Sequence, residues 1–296
     1  MSDLYAVSGI SKQSAYKFRR QEQSMAHQTA LVVDAMEKMR KDHKKMGSRK
    51  IYSCQKEFFE IKVGRDKFEQ LAFANGYRVK YNRQTHKTTS GQRIEVYPDL
   101  VSGRSFNNIN QVYQSDIFYL KVADKDYYGI TIIDVYSKRL VALHLSASLR
   151  ATENVTALKK VLRSKTKAVL KGCIFHSDRG SQYISKAQKD LLKNAGMKIS
   201  MCKMPQQNAY AERVQGSLKY EYFFEYLLTG HNITRQAAKI MRLYNEERPH
   251  KNLKNKTPLQ YEKMIEQLSE DDRPILKVFE WKHDGHNGNG NQDWVF

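Results

Sequence analysis

The sequence has few cysteines, few acidic residues relative to basic ones, and no long apolar run, and each shortage removes a class of protein. The three cysteines, Cys54, Cys173 and Cys202, are scattered singly with no Cys-x-x-Cys pair. That spacing argues against a disulfide framework and a structural zinc site, and leaves reduced, buried thiols. No stretch reaches the roughly 18 consecutive apolar residues of a membrane-spanning helix. The opening "MSDLYAVSGISKQ" lacks the apolar centre of a secretion signal. Both point to an intracellular protein with no membrane partner. Aspartate and glutamate number 31 against 51 lysines and arginines, a net charge of +20. Self-repulsion on that scale calls for a polyanionic partner, and nucleic acid leads. No internal repeat is visible.

What is present suits two or three domains: 296 residues, 40% of them hydrophobic. The first 100 residues carry 20 Lys and Arg against 11 Asp and Glu. Within them, "LYAVSGISKQSAYKFRRQ" (4–21) reads as helix, turn, helix, with Gly9 at the turn and Ser11 as an N-cap. Lys17, Arg19 and Arg20 ride on the second helix, the outline of a short helix-turn-helix segment over 1–27. A second helical domain, 28–82, follows from an amphipathic helix over 29–47 (Leu31, Ala35, Met39) and two more over 48–61 and 64–76. Arg65, Lys67, Arg78, Lys80 and Arg83 gather at its end, placed to meet phosphates. Residues 83–108, polar and rich in Gly, Ser and Thr, read as a linker.

From residue 109 the texture changes. Runs at 111–122, 127–136 and 139–148 are β-branched and aromatic, separated by short turns, and predict a three-stranded meander. A helix over 152–166, a strand over 172–178, a helix over 184–196, a strand over 197–203 and helices over 208–228 and 233–248 follow, the last stopped by Pro249. Two short strands separated by a helix imply parallel neighbours added to an antiparallel meander. The expected core, 109–268, is therefore α/β: a mixed five-stranded sheet with helices on both faces. Residues 269–296 end Gly- and Asn-rich and read as a flexible tail, with Phe279, Trp281 and Trp294 as candidates for docking on a partner subunit.

Three carboxylates fall at telling places on this map. Asp116 lies in the first strand, Asp178 at the exit of the fourth in "IFHSDRGSQY", and Glu212 in the first turn of the helix after the fifth. Sites in open α/β sheets gather at carboxyl ends of strands, and the first and fourth strands can be neighbours. Three converging carboxylates repel unless a cation compensates, and oxygen-only ligands suit Mg²⁺ or Mn²⁺. A pair of such ions activates a nucleophilic oxygen and stabilises a leaving oxygen in phosphodiester chemistry. Gly180 would let the backbone turn away, with His176 and Arg179 near DNA phosphate or the carboxylates. Glu221 or Glu225 as third ligand would lie two or more turns too far along the helix.

The stretches "YQSDIFYL", "FHSDRGSQY", "QNAYAERVQGSLKYE" and "YNEERPHKNLKNKTPLQYE" together resemble the integrase-type DDE transposases of bacterial insertion sequences, over roughly residues 29–265. The likeness is to the second reading frame of the group that assembles its transposase by frameshifting. It implies a ribonuclease H-like (integrase) core preceded by all-α helix-turn-helix domains. It also implies Asp116, Asp178 and Glu212 as the catalytic, metal-binding triad, with two Mg²⁺ ions when DNA is bound and Mn²⁺ able to substitute. Asn208 matches an asparagine of that group and is, by that resemblance, an expected DNA contact. Lys219, two turns after Glu212 on the same helix face, is placed to reach DNA. Two departures stand out: 33 residues separate Asp178 from Glu212, slightly fewer than usual there, with "KMPQQ" (203–207) the place of shortening, and Tyr113 replaces a tryptophan.

The implied partners are double-stranded DNA, as element ends and as target, further copies of the chain in a dimer or larger assembly, and an upstream-frame polypeptide fused or bound. The implied location is the bacterial cytoplasm at the nucleoid. A DNA-binding regulator without catalysis is the competing expectation, and an intact triad argues against it, because carboxylates repel DNA.

Overall fold

A computed structural model of the chain describes residues 11–59, 61–80, 97–122, 125–202 and 205–278. The chain divides into two compact units, Met1–Asn82 and Arg83–Phe296. The first contains α1 (Lys12–Asp42), α2 (Ser48–Phe58) and α3 (Arg65–Ala74). Val32, Met36 and Met39 form the inner stripe of α1 and close a core with Met46, Ile51, Phe68 and Leu71.

The boundary expected at residue 27 is not a break in the helix. Ser11 caps α1 as expected, accepting from the Ser14 N–H at 3.1 Å. The helix then runs unbroken for 31 residues into the one expected from residue 29. Lys12–Asp42 contains no glycine and no proline, so nothing stops a helix once it is nucleated. Gly9 and the first helix of the expected pair lie outside the described residues.

The second unit opens with β1 (Ser105–Phe106) and continues through β2 (Val112–Val122), β3 (Lys125–Asp134) and β4 (Leu140–Ser146). Then come α4 (Ala151–Ser164), α5 (Lys167–Leu170), β5 (Ile174–Ser177), α6 (Lys186–Asn194) and β6 (Lys198–Met201). The chain continues with α7 (Ala209–Leu218), α8 (Ile233–Arg242), α9 (Pro258–Glu266) and β7 (Leu276–Lys277). The main sheet has the order β4-β3-β2-β5-β6, antiparallel on the β4 side and parallel at β2–β5 and β5–β6. This is the expected mixed sheet.

Alternation along β2 and β3 sorts the core into two layers. Tyr113, Ile130 and Ile132 pack against Ala157, Leu158 and Val161 of α4 and Leu192 of α6. Phe118, Leu120 and Ile133 pack against Val214 and Leu218 of α7 and Ala237 and Ile240 of α8. Gly129 is required opposite Phe118 on the antiparallel neighbour, since a Cβ there would lie 2.2 Å from the Phe118 ring. The helix expected over 208–228 is regular only through Leu218 and continues as a wider π turn over Lys219–Phe223.

Two boundaries move. Residues 97–108, expected as linker, are ordered: Asp99 accepts from the N–H groups of Val101 and Ser102, Val101 is buried, and β1 pairs antiparallel with β7. That pairing also draws in 276–278, expected as flexible tail, with Val278 buried beside Val101. Apolar anchors in both polar stretches (Val101, Phe106, Leu276, Val278) supply the contact that composition concealed. Phe279, Trp281 and Trp294 lie outside the described residues.

Candidate active site

Asp116 and Asp178 are positioned by strand register. On the parallel neighbours β2 and β5, Ser115 lies opposite Ser177, and each aspartate is the residue next in line. The Asp116 side chain shares the sheet face of Phe118 and Leu120, the face covered by α7. Its Oδ1 accepts from the Ile117 N–H at 2.9 Å. Asp178 Oδ1 accepts from the Gly180 N–H at 3.0 Å. Gly180 has an ordinary φ of −66°, so it serves here for space and not for an unusual turn. A Cβ there would stand 3.0 Å from Asp178 Oδ1 and 2.9 Å from Gln182 Oε1.

Polar side chains of β2 and β3 pin α7 and its Glu212 to the sheet. Gln114 Oε1 accepts from the Ala211 N–H (3.3 Å), and its Nε2 donates to the Gln207 carbonyl (3.2 Å). Asn208 Nδ2 donates to the Ser115 carbonyl at 3.1 Å. Further along, Gln215 Nε2 donates to Thr131 Oγ1 (3.4 Å), which donates to the Asp116 carbonyl (3.2 Å). Gln114, Thr131 and Gln215 were missed in the sequence. The available signal was a glutamine and a threonine inside otherwise apolar strands, since buried polar groups are kept where they are satisfied.

Two of the carboxylates act on the third. Burial pushes Asp116 up to about 7, and Asp178 and Glu212 add to the rise, while the Ile117 N–H and Lys219 oppose it. Burial also raises Asp178 and Glu212. Lys219 is lowered by burial and partly restored by Asp116, and its Nζ lies 5.4 Å from the centre of the Phe118 ring. Among the described residues, no three His, Cys, Asp or Glu side chains stand close enough, as placed, to hold a metal ion. The donor set still fits a hard divalent cation: oxygen donors only and an excess of negative charge. The runner-up Glu221 is committed elsewhere, buried and paired with Arg248 at 2.8 and 2.7 Å.

Two expected DNA contacts are corrected. His176 has no exposed surface: its Nδ1 lies 2.8 Å from Ser200 Oγ, and burial lowers its pKa to about 4 against the pull of Asp99. A lone histidine inside an apolar strand is here a neutral core residue that ties β5 to β6. Asn208 is also buried, and its amide works inward on β2. Arg179 is exposed, with Nε donating to the Cys202 carbonyl at 3.1 Å.

In the helical unit, Lys17, Arg19, Arg20, Arg78 and Lys80 are exposed. Arg65 is drawn onto Asp66 at 2.8 Å, Arg78 lies 4.6 Å over the Phe73 ring, and Lys67 Nζ is 3.8 Å from Met25 Sδ. Arg83 lies outside the described residues.

Two family models, each described as integrase core domain, match residues 107–205 and 195–258. The insertion element IS600 uncharacterized 31 kDa protein of Shigella sonnei is 29% identical over 218 residues, 71% of this chain and 78% of that protein. The transposase for insertion sequence element IS904 of Lactococcus lactis is 27% identical over 195 residues, 64% of this chain and 75% of that one. The HTLV-2 integrase catalytic core domain aligns at 18% identity with a TM-score of 0.43, covering 55% of this chain and 99% of that domain.

Proposed function

Since the chain belongs to the bacterial insertion-sequence transposases built on an integrase core, we propose that it binds the terminal inverted repeats of a mobile element, hydrolyses a strand there and uses the freed 3′-hydroxyl to attack another phosphodiester, whose own 3′ oxygen leaves, with Asp116, Asp178 and Glu212 as the working carboxylates. The observation that carries this reading is electrostatic. Asp116 is raised to about 7 on a sheet face it shares with two further carboxylates. Such a cluster has no use in a passive DNA-binding surface and suits a site that takes up positive charge.

Asp116, Asp178 and Glu212 would hold divalent cations, Mg²⁺ with Mn²⁺ as substitute and two when DNA is bound. The bound ions supply Lewis acidity at the attacking and leaving oxygens. The rest is the work of the chain. β2 fixes Asp116, the Gly180 N–H orients Asp178, and Gln114 and Asn208 hold the start of α7, the helix that carries Glu212. Lys219 brings a cation beside Asp116, where it meets a phosphate oxygen. Neither Ser nor Tyr is needed as a covalent nucleophile.

The exposed cations of the helical unit, Lys17, Arg19, Arg20, Arg78 and Lys80, are its proposed phosphate contacts. Joining two ends in one event requires more than one copy, and an upstream-frame polypeptide is a further partner. No helix among the described residues is long and apolar enough to cross a membrane. The test uses duplexes carrying the sequences that flank the gene, with Mg²⁺ or Mn²⁺, and compares wild type with Glu212→Gln. Metal-dependent joining lost in the variant is expected. DNA binding without cleavage by wild type would instead make the chain a regulator.

A further inference from the structure

The two helical layers differ in charge. On the face that carries the carboxylates, residues 205–247 contain five Lys and Arg and five Asp and Glu, a net charge of zero. On the opposite face, residues 151–171 and 186–198, which span α4, α5 and α6, contain ten Lys and Arg and two Asp and Glu, a net charge of +8. These helices share one core against the sheet, so their outer sides form one surface.

The basic residues are clustered in space as well as in number. Lys159 and Arg163 are one turn apart on α4, and Lys186 and Lys193 are two turns apart on α6. The end of α5 meets the end of α6, where the Gly172 N–H donates to the Gly196 carbonyl at 2.8 Å. Lys171 packs there, its Cγ 3.5 Å from where a Gly196 Cβ would be. Lys159, Arg163, Lys171, Lys186 and Lys193 are all exposed.

Helix stability does not account for this charge. Lys186 is the first residue of α6, at the positive end of the helix dipole, and no acid occupies that first turn to offset it. Neighbouring like charges on one surface cost stability unless a polyanion neutralises them.

We propose that the outer surface of α4, α5 and α6 is a second DNA-binding surface that holds the phosphate backbone of a duplex segment other than the one at the carboxylates. The Asp116 side chain points to the opposite face of the sheet, so the two segments lie on opposite sides of it. Binding of this kind is independent of sequence and strongly salt-dependent. The inference rests on DNA being the partner of the core.

The test measures affinity of the full chain for a duplex of arbitrary sequence across a salt series, by fluorescence anisotropy. It compares wild type with Lys159→Glu/Arg163→Glu/Lys171→Glu/Lys193→Glu. A control of equal charge change, Arg235→Glu/Lys254→Glu/Lys263→Glu/Lys277→Glu, lies off this surface. The first variant is expected to lose about tenfold or more in affinity, with a log–log salt slope reduced by about 3 to 4, near 0.9 per phosphate contact. The control keeps the wild-type slope. Equal losses in both variants, or a wild-type slope in the first, would overturn the inference while leaving DNA binding by the core intact. Wild type with no salt-dependent binding would overturn both.

A second readout needs no variant. Duplex DNA is expected to protect Lys159, Lys171 and Lys193 of the wild type from acetylation, and to leave Lys254 and Lys263 reactive. Uniform reactivity would reject the surface.

Discussion

The two faces of the sheet show how one core separates chemistry from charge. Both layers are built from amphipathic helices on the same strands, and both bury comparable aliphatic and aromatic side chains. The α7–α8 layer spends its polar residues inward: Gln114, Asn208 and Gln215 fix a helix relative to Asp116, and Glu221 locks onto Arg248. The α4–α6 layer buries Asn154 and Gln188 but turns most of its lysines and arginines outward. A carboxylate site needs rigidity and little surrounding charge of its own, whereas a backbone-binding surface needs charge and tolerates imprecise placement. The two demands conflict on a single face.

Substitutions can break this contrast. The largest effect is expected for Asp116→Asn, which should lower strand joining by more than the roughly 10–100-fold typical of changes outside the ligand shell, while DNA affinity stays near wild type. A loss of affinity equal to the loss of joining would place Asp116 in binding instead.

Next comes Arg248→Ala, which leaves Glu221 as a buried charge without its bidentate partner. Breaking such a pair costs about 3–5 kcal/mol. Urea denaturation should show it, and a cost below about 1 kcal/mol would mean that the pair is solvated and does not tie the Lys219–Phe223 turn to Arg248.

Gly129→Ala forces a Cβ into the Phe118 ring, and overpacking of this kind costs about 1–3 kcal/mol. A thermal melt equal to wild type would show that Phe118 can move aside. The smallest effect belongs to the outer layer. Single substitutions such as Lys159→Glu or Lys193→Glu should change stability by no more than about 0.5 kcal/mol, or raise it by relieving repulsion. A marked loss would mean that these lysines serve the fold.

Much of the architecture was legible in the sequence, because β-branched runs and apolar periodicity dictate the strands and most helices, and because helix-separated strands must be parallel. The positions of Asp116, Asp178 and Glu212 followed from that map. What escaped depended on contacts distant in sequence. The β1–β7 pairing joins residues 105–106 to 276–277 across the whole unit, and no local signal marks either strand. Glu221 and Arg248 look like ordinary surface charges until the fold brings them together over 27 residues. The length of α1 escaped for the opposite reason: the polar stretch 21–28 suggested a boundary between two helices, while the absence of any breaker from 12 to 42 makes them one. His176 stands in a polar motif, yet its place in a buried strand makes it part of the core.

The most direct test is Mn²⁺ binding to the full chain, followed by the electron paramagnetic resonance signal of the free ion, for wild type, Asp116→Asn and Glu212→Gln. Binding by wild type that weakens about tenfold or more in each variant is the predicted result. Identical binding by all three proteins would contradict the assignment of Asp116, Asp178 and Glu212 as the working site.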